Sequence, residues 1–169
     1  LYGLNDKIDV RCGNGLEIIK DSEIIDTIII SGMGGLLTID VLKSNEKAVK
    51  NANQLILQPQ RDIEKVRAYL HSINYKIINE EMLMESGKYY TIINAVKGSD
   101  EEYSEIEYYF GKFLLNKKSA VLKKFIDHEY KKINIVLDNI SNNAVENADE
   151  RISQLKHLKS LYEEALKCL

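Results

Sequence analysis

The pattern of apolar residues changes near residue 100, and this change limits the folds that the chain can adopt. Before that point, short β-branched runs alternate with helical segments, which is typical of an α/β layer. After it, apolar residues recur only at helical spacing. The sequence therefore predicts an α/β domain over residues 1–98, followed over residues 99–169 by an acidic connector and a helical arm.

The strand pattern is clearest in residues 26–30, where Asp-Thr-Ile-Ile-Ile is almost continuously apolar. Such a run is expected of a strand that is buried on both faces. Alternation in residues 8–12 predicts an earlier strand, and Gly87 suits the positive-φ position of a hairpin turn. The other predicted elements are helices over 36–42 and 61–73 and strands over 54–57, 75–84 and 89–96.

Heptad spacing predicts that the second part of the chain is an antiparallel pair of helices with coiled-coil packing. A 4-3 pattern, apolar at six of eight positions, runs through Leu115, Ser119, Leu122, Ile126, Glu129, Ile133, Val136 and Ile140. The polar residues 141–143 are expected to break this helix, which would be roughly 40 Å long at ~1.5 Å per residue. A second seam then runs through Leu155, Leu158, Tyr162, Ala165 and Leu169.

Composition and charge exclude several classes of protein. With 23 basic against 26 acidic residues, the net charge is −3, so the chain is not a globally basic nucleic-acid coat. Cys12 and Cys168 are too few for a disulfide scaffold or a zinc cluster, and the three histidines are scattered. No apolar stretch approaches the ~20 residues that cross a bilayer. We therefore expect a cytoplasmic protein with neither a metal nor a membrane partner.

Three short segments follow predicted strands: Gly13-Asn14-Gly15, Ser31-Gly32-Met33-Gly34-Gly35 and Gln58-Pro59-Gln60. In an open parallel sheet, ligands bind beyond the carboxyl ends of the strands. Glycines let the backbone approach a ligand closely, and the amide of Asn14 offers both a donor and an acceptor to a nucleobase. The simpler interpretation is that these glycines only make tight turns. Three such segments at one sheet edge favour a binding site.

Two common nucleotide-binding motifs do not fit these segments. The run Gly32-Met33-Gly34-Gly35 lacks the Lys-Ser/Thr pair that a nucleoside-triphosphate loop requires. Leu37 occupies the position of the last glycine in the dinucleotide fingerprint, which is therefore incomplete.

Residues 112–132 form a basic stretch within an acidic chain. Seven lysines and two acidic residues give this stretch a net charge of +5. One interpretation is an ordinary solvated helix face. The other is an arm that follows the phosphates of a nucleic acid.

Together, these segments resemble the bacterial tRNA (adenine-22-N1)-methyltransferase family, TrmK. The matching residues are Ile8-Asp9-Val10-Arg11-Cys12-Gly13-Asn14-Gly15-Leu16, Asp26-Thr27-Ile28-Ile29-Ile30-Ser31-Gly32-Met33-Gly34-Gly35 and Leu55-Ile56-Leu57-Gln58-Pro59-Gln60. The resemblance continues through the hairpin and the C-terminal helices, so it covers nearly the whole chain. Its most specific feature is an isoleucine-rich strand ending in Gly-Met-Gly-Gly, with Leu-Gln-Pro about two dozen residues later.

The resemblance implies a Rossmann-like, S-adenosylmethionine-dependent methyltransferase domain with a coiled-coil arm. It implies that the cofactor's adenine is bordered by Gly13, Asn14, Gly15 and Leu16. Ser31, Gly32 and Met33 would lie between this cofactor and the target base, and these three residues and Gly34 would position the base. The implied partner is tRNA. The clustered charge of the basic stretch predicts phosphate contacts from Lys117, Lys118, Lys123 and Lys124.

In this family, a glycine-rich loop for the methionine moiety and an acidic ribose-binding residue would precede Leu1. The resemblance therefore leads us to expect an N-terminally truncated enzyme that lacks two central strands and half of its cofactor site.

Methylation of adenine at N1 needs no strong general base, because N1 carries an in-plane lone pair that can attack the sulfonium methyl directly. Catalysis then depends on positioning and desolvation, with the target nucleotide extruded from the tRNA fold. Two other interpretations stay open at this point. One is a non-enzymatic RNA-binding or assembly module, and the other is a methyltransferase with a protein or small-molecule substrate.

Overall fold

The structure is a computed structural model that describes residues 3–4, 6–142 and 149–169, except for the side chains of residues 141 and 142. A short 3-10 helix at Gly15–Ile18 comes first. The strands are β1 (Thr27–Met33), β2 (Gln54–Pro59), β3 (Tyr75–Glu85) and β4 (Lys88–Lys97). The helices are α1 (Gly35–Lys43), α2 (Glu46–Asn51), α3 (Ile63–Ser72), α4 (Glu105–Phe110), α5 (Lys112–Asn116), α6 (Ala120–Asn142) and α7 (Asp149–Cys168).

The four strands form one mixed sheet in the order β1-β2-β4-β3. Strands β1 and β2 run parallel, with Ile28 opposite Leu55, so their carboxyl ends meet at the same edge of the sheet. Strand β4 runs antiparallel to both of its neighbours, β2 and β3. The predicted α/β class is confirmed, and so is the hairpin, in which Gly87 has a φ of +77°.

Two apolar cores organise the described residues. The first lies on the sheet and includes Leu42, Leu57, Leu70 and Ile93, all fully buried. The second joins helices α4 to α7, which we call the C-terminal helical unit. Its buried members are Phe110, Leu114, Leu115, Leu122, Ile126, Ile133, Leu155, Leu161, Tyr162 and Ala165. Helices α6 and α7 also contact each other through the Tyr130 hydroxyl, which donates to Glu163 Oε1 at 2.8 Å.

A buried ion pair ties the helical unit to the sheet. Arg67 on α3 donates from Nε to Glu80 Oε1 on β3 at 2.7 Å, and these side chains are 1% and 0% exposed. Arg67 Nη1 also donates to the carbonyls of Tyr108 and Tyr109 on α4, at 2.6 and 3.0 Å. One guanidinium therefore joins three elements. Any side chain on Gly111 would collide with this pair, because its Cβ would lie 2.5 Å from Glu80 Oε2.

The start of α1 packs tightly against the loop that precedes α3. The N–H of Gly35 donates to the carbonyl of Arg61 at 2.8 Å. A Cβ on Gly35 would lie 2.5 Å from the carbonyl oxygens of both Arg61 and Asp62. A Cβ on Gly34 would meet only the flexible Arg61 side chain, with Nε at 3.0 Å. Gly35 is therefore required by close packing, whereas Gly34 is not.

The first strands differ from those predicted from the sequence. Residues 8–12 form no strand, because they are exposed and no described strand pairs with them. Strand β1 is longer than predicted and runs through Ser31, Gly32 and Met33 instead of ending in a loop. It is not buried on both faces, since Ile29 is 68% exposed. In the described part of the chain, no helix covers that face.

The helical half also departs from the prediction. Instead of one helix from residue 115, α5 ends at Asn116 and α6 begins at Ala120. Lys118 between them has a φ of +49°, which interrupts the helical backbone. The predicted helix break at residues 141–143 is wrong for residues 141 and 142, because they belong to α6. Residue 143 lies outside the described residues. The acidic connector is only partly irregular, because Ser104 and Glu107 form a capping box that starts α4.

Among the described residues, no helix is long and apolar enough to span a membrane. The same part of the chain contains no group of three or more histidine, cysteine or carboxylate side chains that could hold a metal ion.

We expect Arg67→Met to lower the free energy of unfolding by about 3–5 kcal/mol, because it leaves the buried Glu80 carboxylate without its cation. Urea unfolding measures this loss. The control is Lys50→Met, which removes an exposed pair with Glu46 and should hardly change stability. Equal effects of the two substitutions would contradict the structural role of the buried pair.

We expect Gly35→Ala to destabilise the protein by about 1–3 kcal/mol, because its methyl group would overlap two backbone carbonyls. Gly34→Ala is the matched control, since its methyl group meets only a movable side chain. Thermal unfolding of both variants tests the difference. A greater loss of stability in Gly34→Ala than in Gly35→Ala would contradict the close packing of Gly35 at the start of α1.

Candidate functional site

The carboxyl ends of β1 and β2 form a shared surface, which we call the strand-end edge (residues 31–34 and 58–60). Ser31 lies opposite Gln58 and Met33 opposite Pro59, while Gly32 is left over as a bulge. The bulge places Gly32 at a φ of +78°, where a residue with a side chain would be strained.

Hydrogen bonds fix the backbone and one side chain of the strand-end edge. The N–H of Gly32 donates to Gln58 Oε1 at 3.0 Å, which holds the Gln58 amide in one orientation. The N–H of Gln60 donates to the carbonyl of Met33 at 2.8 Å. Ser31 and Gly32 are exposed, and Met33 is 38% exposed, so a ligand can reach them. The strand-end edge therefore presents polar backbone groups, the oriented amide of Gln58 and the apolar thioether of Met33 to a ligand.

The predicted cofactor segment, residues 13–16, lies against the other half of α1. Leu16 is buried in the sheet core, and Asn45 Nδ2 donates to the carbonyl of Leu16 at 3.2 Å. Gly15 has a φ of +53°, and a Cβ there would lie 3.0 Å from Val41 Cγ1. A Cβ on Gly13 would overlap the Ile18 side chain. The two glycines are therefore demanded by packing and backbone conformation.

Asn14 stands at the rim of a cavity of about 260 Å³ beside α1. Its Nδ2 donates to Glu17 Oε1 at 3.0 Å, and its Oδ1 accepts from no described residue. The cavity is lined by Asn14, Glu17, Leu37, Asp40, Val41 and Ser44. This combination of apolar faces, one amide and two carboxylates fits a nucleoside, which presents a flat apolar ring, ring nitrogens and ribose hydroxyls.

The two groups of predicted site residues lie at opposite ends of helix α1. Gly34 lies directly before its first residue, and Val41 lies near its last turn. At ~1.5 Å per residue, these positions are about 10 Å apart along the helix axis. The structure thus brings residues 31–34 next to residues 58–60, as expected of strand ends. It places residues 13–16 farther along α1, where they follow no described strand, so the expectation of three segments at one strand edge is wrong for them.

The predicted tRNA-binding lysines fall into two groups. Lys117 Nζ donates to the carbonyl of Glu80 and to Glu81 Oε1, at 2.5 and 2.6 Å. This ammonium group lowers the pKa of the Glu81 carboxyl. Lys118, Lys123 and Lys124 are exposed and form no ion pair with described residues. Lys117 is therefore part of the joint between β3 and the helical unit, whereas the other three are available to a ligand.

Two residues at or beside the strand-end edge were given no individual role by the sequence analysis, which named Gln58 only as part of the segment 58–60. The Gln58 side chain is fixed by the bulge at Gly32, and the Arg61 side chain is 82% exposed beside Gly34. Gln58-Pro59-Gln60 follows a predicted strand, which is a usable signal for Gln58. The proximity of Arg61 to Gly34 depends on packing between β2, α1 and α3, and the local sequence does not encode it.

Comparisons with known proteins agree with this architecture. A family model for tRNA (adenine(22)-N(1))-methyltransferase, TrmK, matches residues 1–161. The curated tRNA (adenine(22)-N(1))-methyltransferase of Bacillus subtilis is 34% identical over 170 residues, which cover 97% of this chain and 71% of that protein.

Solved structures give the same result. A protein of the NADB-Rossmann superfamily from Streptococcus agalactiae is 32% identical with a TM-score of 0.86, over 97% of this chain and 70% of that one. A tRNA (m1A22) methyltransferase from Streptococcus pneumoniae, solved with S-adenosyl-L-methionine, is 29% identical with a TM-score of 0.85, over 98% and 71% of the two chains. The fold is thus a Rossmann-like α/β fold with a mixed sheet, and the chain belongs to the tRNA (adenine(22)-N(1))-methyltransferase family.

Proposed function

We propose that this chain takes part in methyl transfer from S-adenosylmethionine to N1 of adenine 22 in tRNA, and that the strand-end edge holds the target base. The observation that carries the assignment of the edge is the bulge at Gly32, which exposes the end of β1 and orients the Gln58 amide beside it. The family membership supports the reaction, and the relative solved with S-adenosyl-L-methionine supports the methyl donor.

The edge suits a reaction in which nothing has to be deprotonated by the protein. When bound, S-adenosylmethionine supplies an electrophilic methyl group on its sulfonium, and N1 of neutral adenine can attack this methyl group with its lone pair. Gly32, Met33, Gly34, Gln58 and Pro59 carry no acid or base. Their contribution is to orient the Watson–Crick edge of the base and to exclude water from it.

Gln58 and Met33 have distinct parts in this arrangement. Gln58 Oε1 accepts from the Gly32 N–H, and Gln58 Nε2 donates to the Pro59 carbonyl at 3.5 Å, so the second Nε2 hydrogen is the donor that remains. Such a fixed donor can orient the ring nitrogens or phosphate oxygens of an approaching nucleotide. Met33 supplies an exposed, polarizable side chain against which a flat base can pack.

We assign residues 13–16 to the adenine end of S-adenosylmethionine. The cavity beside α1 supplies the apolar faces of Leu37 and Val41, and the free Oδ1 of Asn14 can accept from an adenine amino group. The separation of about 10 Å along α1 keeps this end apart from the strand-end edge.

We propose that the C-terminal helical unit binds the body of the tRNA. The exposed lysines 118, 123, 124 and 131 lie on or beside α6 and form no ion pair with described residues. In this proposal α6 and α7 form a coiled-coil hairpin, and residues 99–169 act as a unit distinct from residues 1–98. We also propose a cytoplasmic location, because tRNA, the proposed substrate, is used in translation there.

Two assays test the proposed function. Equilibrium dialysis of S-adenosylmethionine against the full-length protein should show binding, which an RNA-binding or assembly module does not require. Methyl transfer from labelled S-adenosylmethionine should then be compared on total tRNA, total protein and a small-molecule extract. We expect incorporation into tRNA, and incorporation into either of the other fractions alone would contradict the proposal.

We expect Asn14→Ala to weaken S-adenosylmethionine binding by roughly 1–2 kcal/mol, the usual scale for a removed hydrogen-bonding group. Titration calorimetry on the full-length protein measures the change. Asn116→Ala on α5 is the matched control, because it removes the same amide far from the cavity. Unchanged affinity in a folded Asn14→Ala variant would remove this residue from the cofactor site.

We expect replacement of Lys118, Lys123, Lys124 and Lys131 by Gln to flatten the salt dependence of tRNA binding. Each lost phosphate contact should reduce the slope of log affinity against log salt by about 0.7–0.9. The charge-matched control replaces Lys20, Lys47, Lys50 and Lys76, which lie outside the helical unit. Equal slopes for the two quadruple variants would assign the tested lysines to an ordinary solvated face.

A further inference from the structure

A second cavity, also of about 260 Å³, lies between the sheet and the C-terminal helical unit, and we call it the interface cavity. Hairpin β3–β4 lines it with Met82, Tyr89 and Thr91, and the helical unit lines it with Phe125 and Tyr162 among others. Residues 60–64 and Arg67 line its remaining side, and they include the carboxylates of Asp62 and Glu64. The proposed methyl transfer uses none of these hairpin and helix residues.

The interface cavity adjoins the strand-end edge because the hairpin extends beyond β2. Pairing between β2 and β4 ends where Leu57 meets Ile93, so residues 88–92 project past β2 at the edge where Gln58 follows. Arg61 connects the two places directly. It lines the cavity, and its Nε lies 3.0 Å from where a Cβ on Gly34 would be.

Aromatic rings from both units line the interface cavity. The rings of Tyr89 and Phe125 meet edge to face, with centroids 5.3 Å apart and an interplanar angle of 68°. Phe110 and Tyr162 form a second pair, with centroids also 5.3 Å apart. Burial raises the pKa of Tyr162 to about 12, so its phenol stays protonated. Aromatic side chains at this position suit an unstacked base, because every base has a face that stacks on them.

The cavity also contains unused hydrogen-bonding groups. Thr91 is only 3% exposed, yet its hydroxyl makes no hydrogen bond with a described residue. Arg67 uses Nε and Nη1 for Glu80 and α4, while its Nη2 donates to no described residue. Neither group is fully closed off from solvent, since the fully buried, unpartnered side-chain atoms among the described residues are His71 Nε2 and Glu80 Oε2. Together with the aromatic and apolar side chains, the Thr91 hydroxyl and Arg67 Nη2 form a surface that a planar, polar-edged ligand can contact.

Size and charge favour a nucleobase as this ligand. An apolar cavity of roughly 150 Å³ admits one benzene ring, so the larger interface cavity has room for a purine or pyrimidine. Arg61 supplies an exposed guanidinium at the side that faces Gly34, with a carboxylate oxygen of Asp62 4.0 Å from its Nε, and Glu64 also lines the cavity. A guanidinium at that place can pair with the phosphate that links a base in the cavity to a base at the strand-end edge.

We propose that the interface cavity binds one unstacked base of tRNA, from a nucleotide next to the methylated adenine. Tyr89 and Phe125 stack on this base, Thr91 bonds to its edge, and Arg61 contacts the connecting phosphate. The inference rests on the proposed function, because it requires that the strand-end edge hold the target adenine. It adds a second recognition site in which the hairpin and the helical unit act together.

The test uses full-length protein and tRNA transcripts with one abasic site, placed on either side of adenine 22. Phe125→Leu removes the ring while keeping an apolar side chain, and Thr91→Val removes the hydroxyl at nearly constant volume. Phe113→Leu is the matched control, because it makes the same change on α5 outside the cavity. Thermal unfolding verifies that each variant is folded.

We expect Phe125→Leu to weaken tRNA binding roughly tenfold, while S-adenosylmethionine affinity and the salt slope stay the same. One of the two abasic transcripts should bind the wild-type protein about as weakly as the intact transcript binds Phe125→Leu. Phe125→Leu should bind that abasic transcript no more weakly than the wild-type protein does. Thr91→Val should give a smaller loss with the intact transcript only.

Additive losses, or no loss at either abasic position, would overturn the inference. Altered self-association of Phe125→Leu with unchanged tRNA affinity would also overturn it, since the cavity would then serve a protein partner. Failure of the proposed function looks different, because wild type would then not methylate the intact transcript at all.

Discussion

The placement of the C-terminal helices depends on one buried ion pair, Arg67 with Glu80. Removing two charges from water is costly, and the pair offsets this cost only because Arg67 also satisfies two carbonyls at the end of α4. Lys117 adds a second tie to β3. These contacts fix the helical unit beside the hairpin, and so they determine both the shape of the interface cavity and the direction in which the exposed lysines face.

The strand-end edge shows how little side-chain chemistry the proposed reaction requires. A bulge at Gly32 exposes the backbone, and the same N–H that the bulge turns outward holds the Gln58 amide. Since N1 of adenine is already nucleophilic, rate acceleration depends on bringing the base to the methyl donor in a fixed orientation. In the proposed account, recognition of the correct nucleotide comes from surfaces around the strand-end edge, including the helical unit.

Local sequence patterns predicted the elements whose stability is local. The hairpin follows from alternation and from Gly87, and α3 follows from its apolar spacing. Features that depend on partners were predicted less well. Residues 8–12 alternate like a strand but have no described neighbour, and Ile29 is exposed because β1 has one covered face. For the site, the glycine segments were visible in the sequence, whereas Arg61 and the interface cavity arise only from packing between distant segments.

Primer extension on methylated tRNA tests the central claim most directly, because a methyl group on N1 blocks the Watson–Crick edge of adenine. An unmodified transcript is incubated with the full-length protein and S-adenosylmethionine and then copied by reverse transcriptase. The account predicts one new stop immediately before adenine 22, absent when that adenine is replaced by guanine. Methyl incorporation without this stop, or a stop at another position, would contradict it.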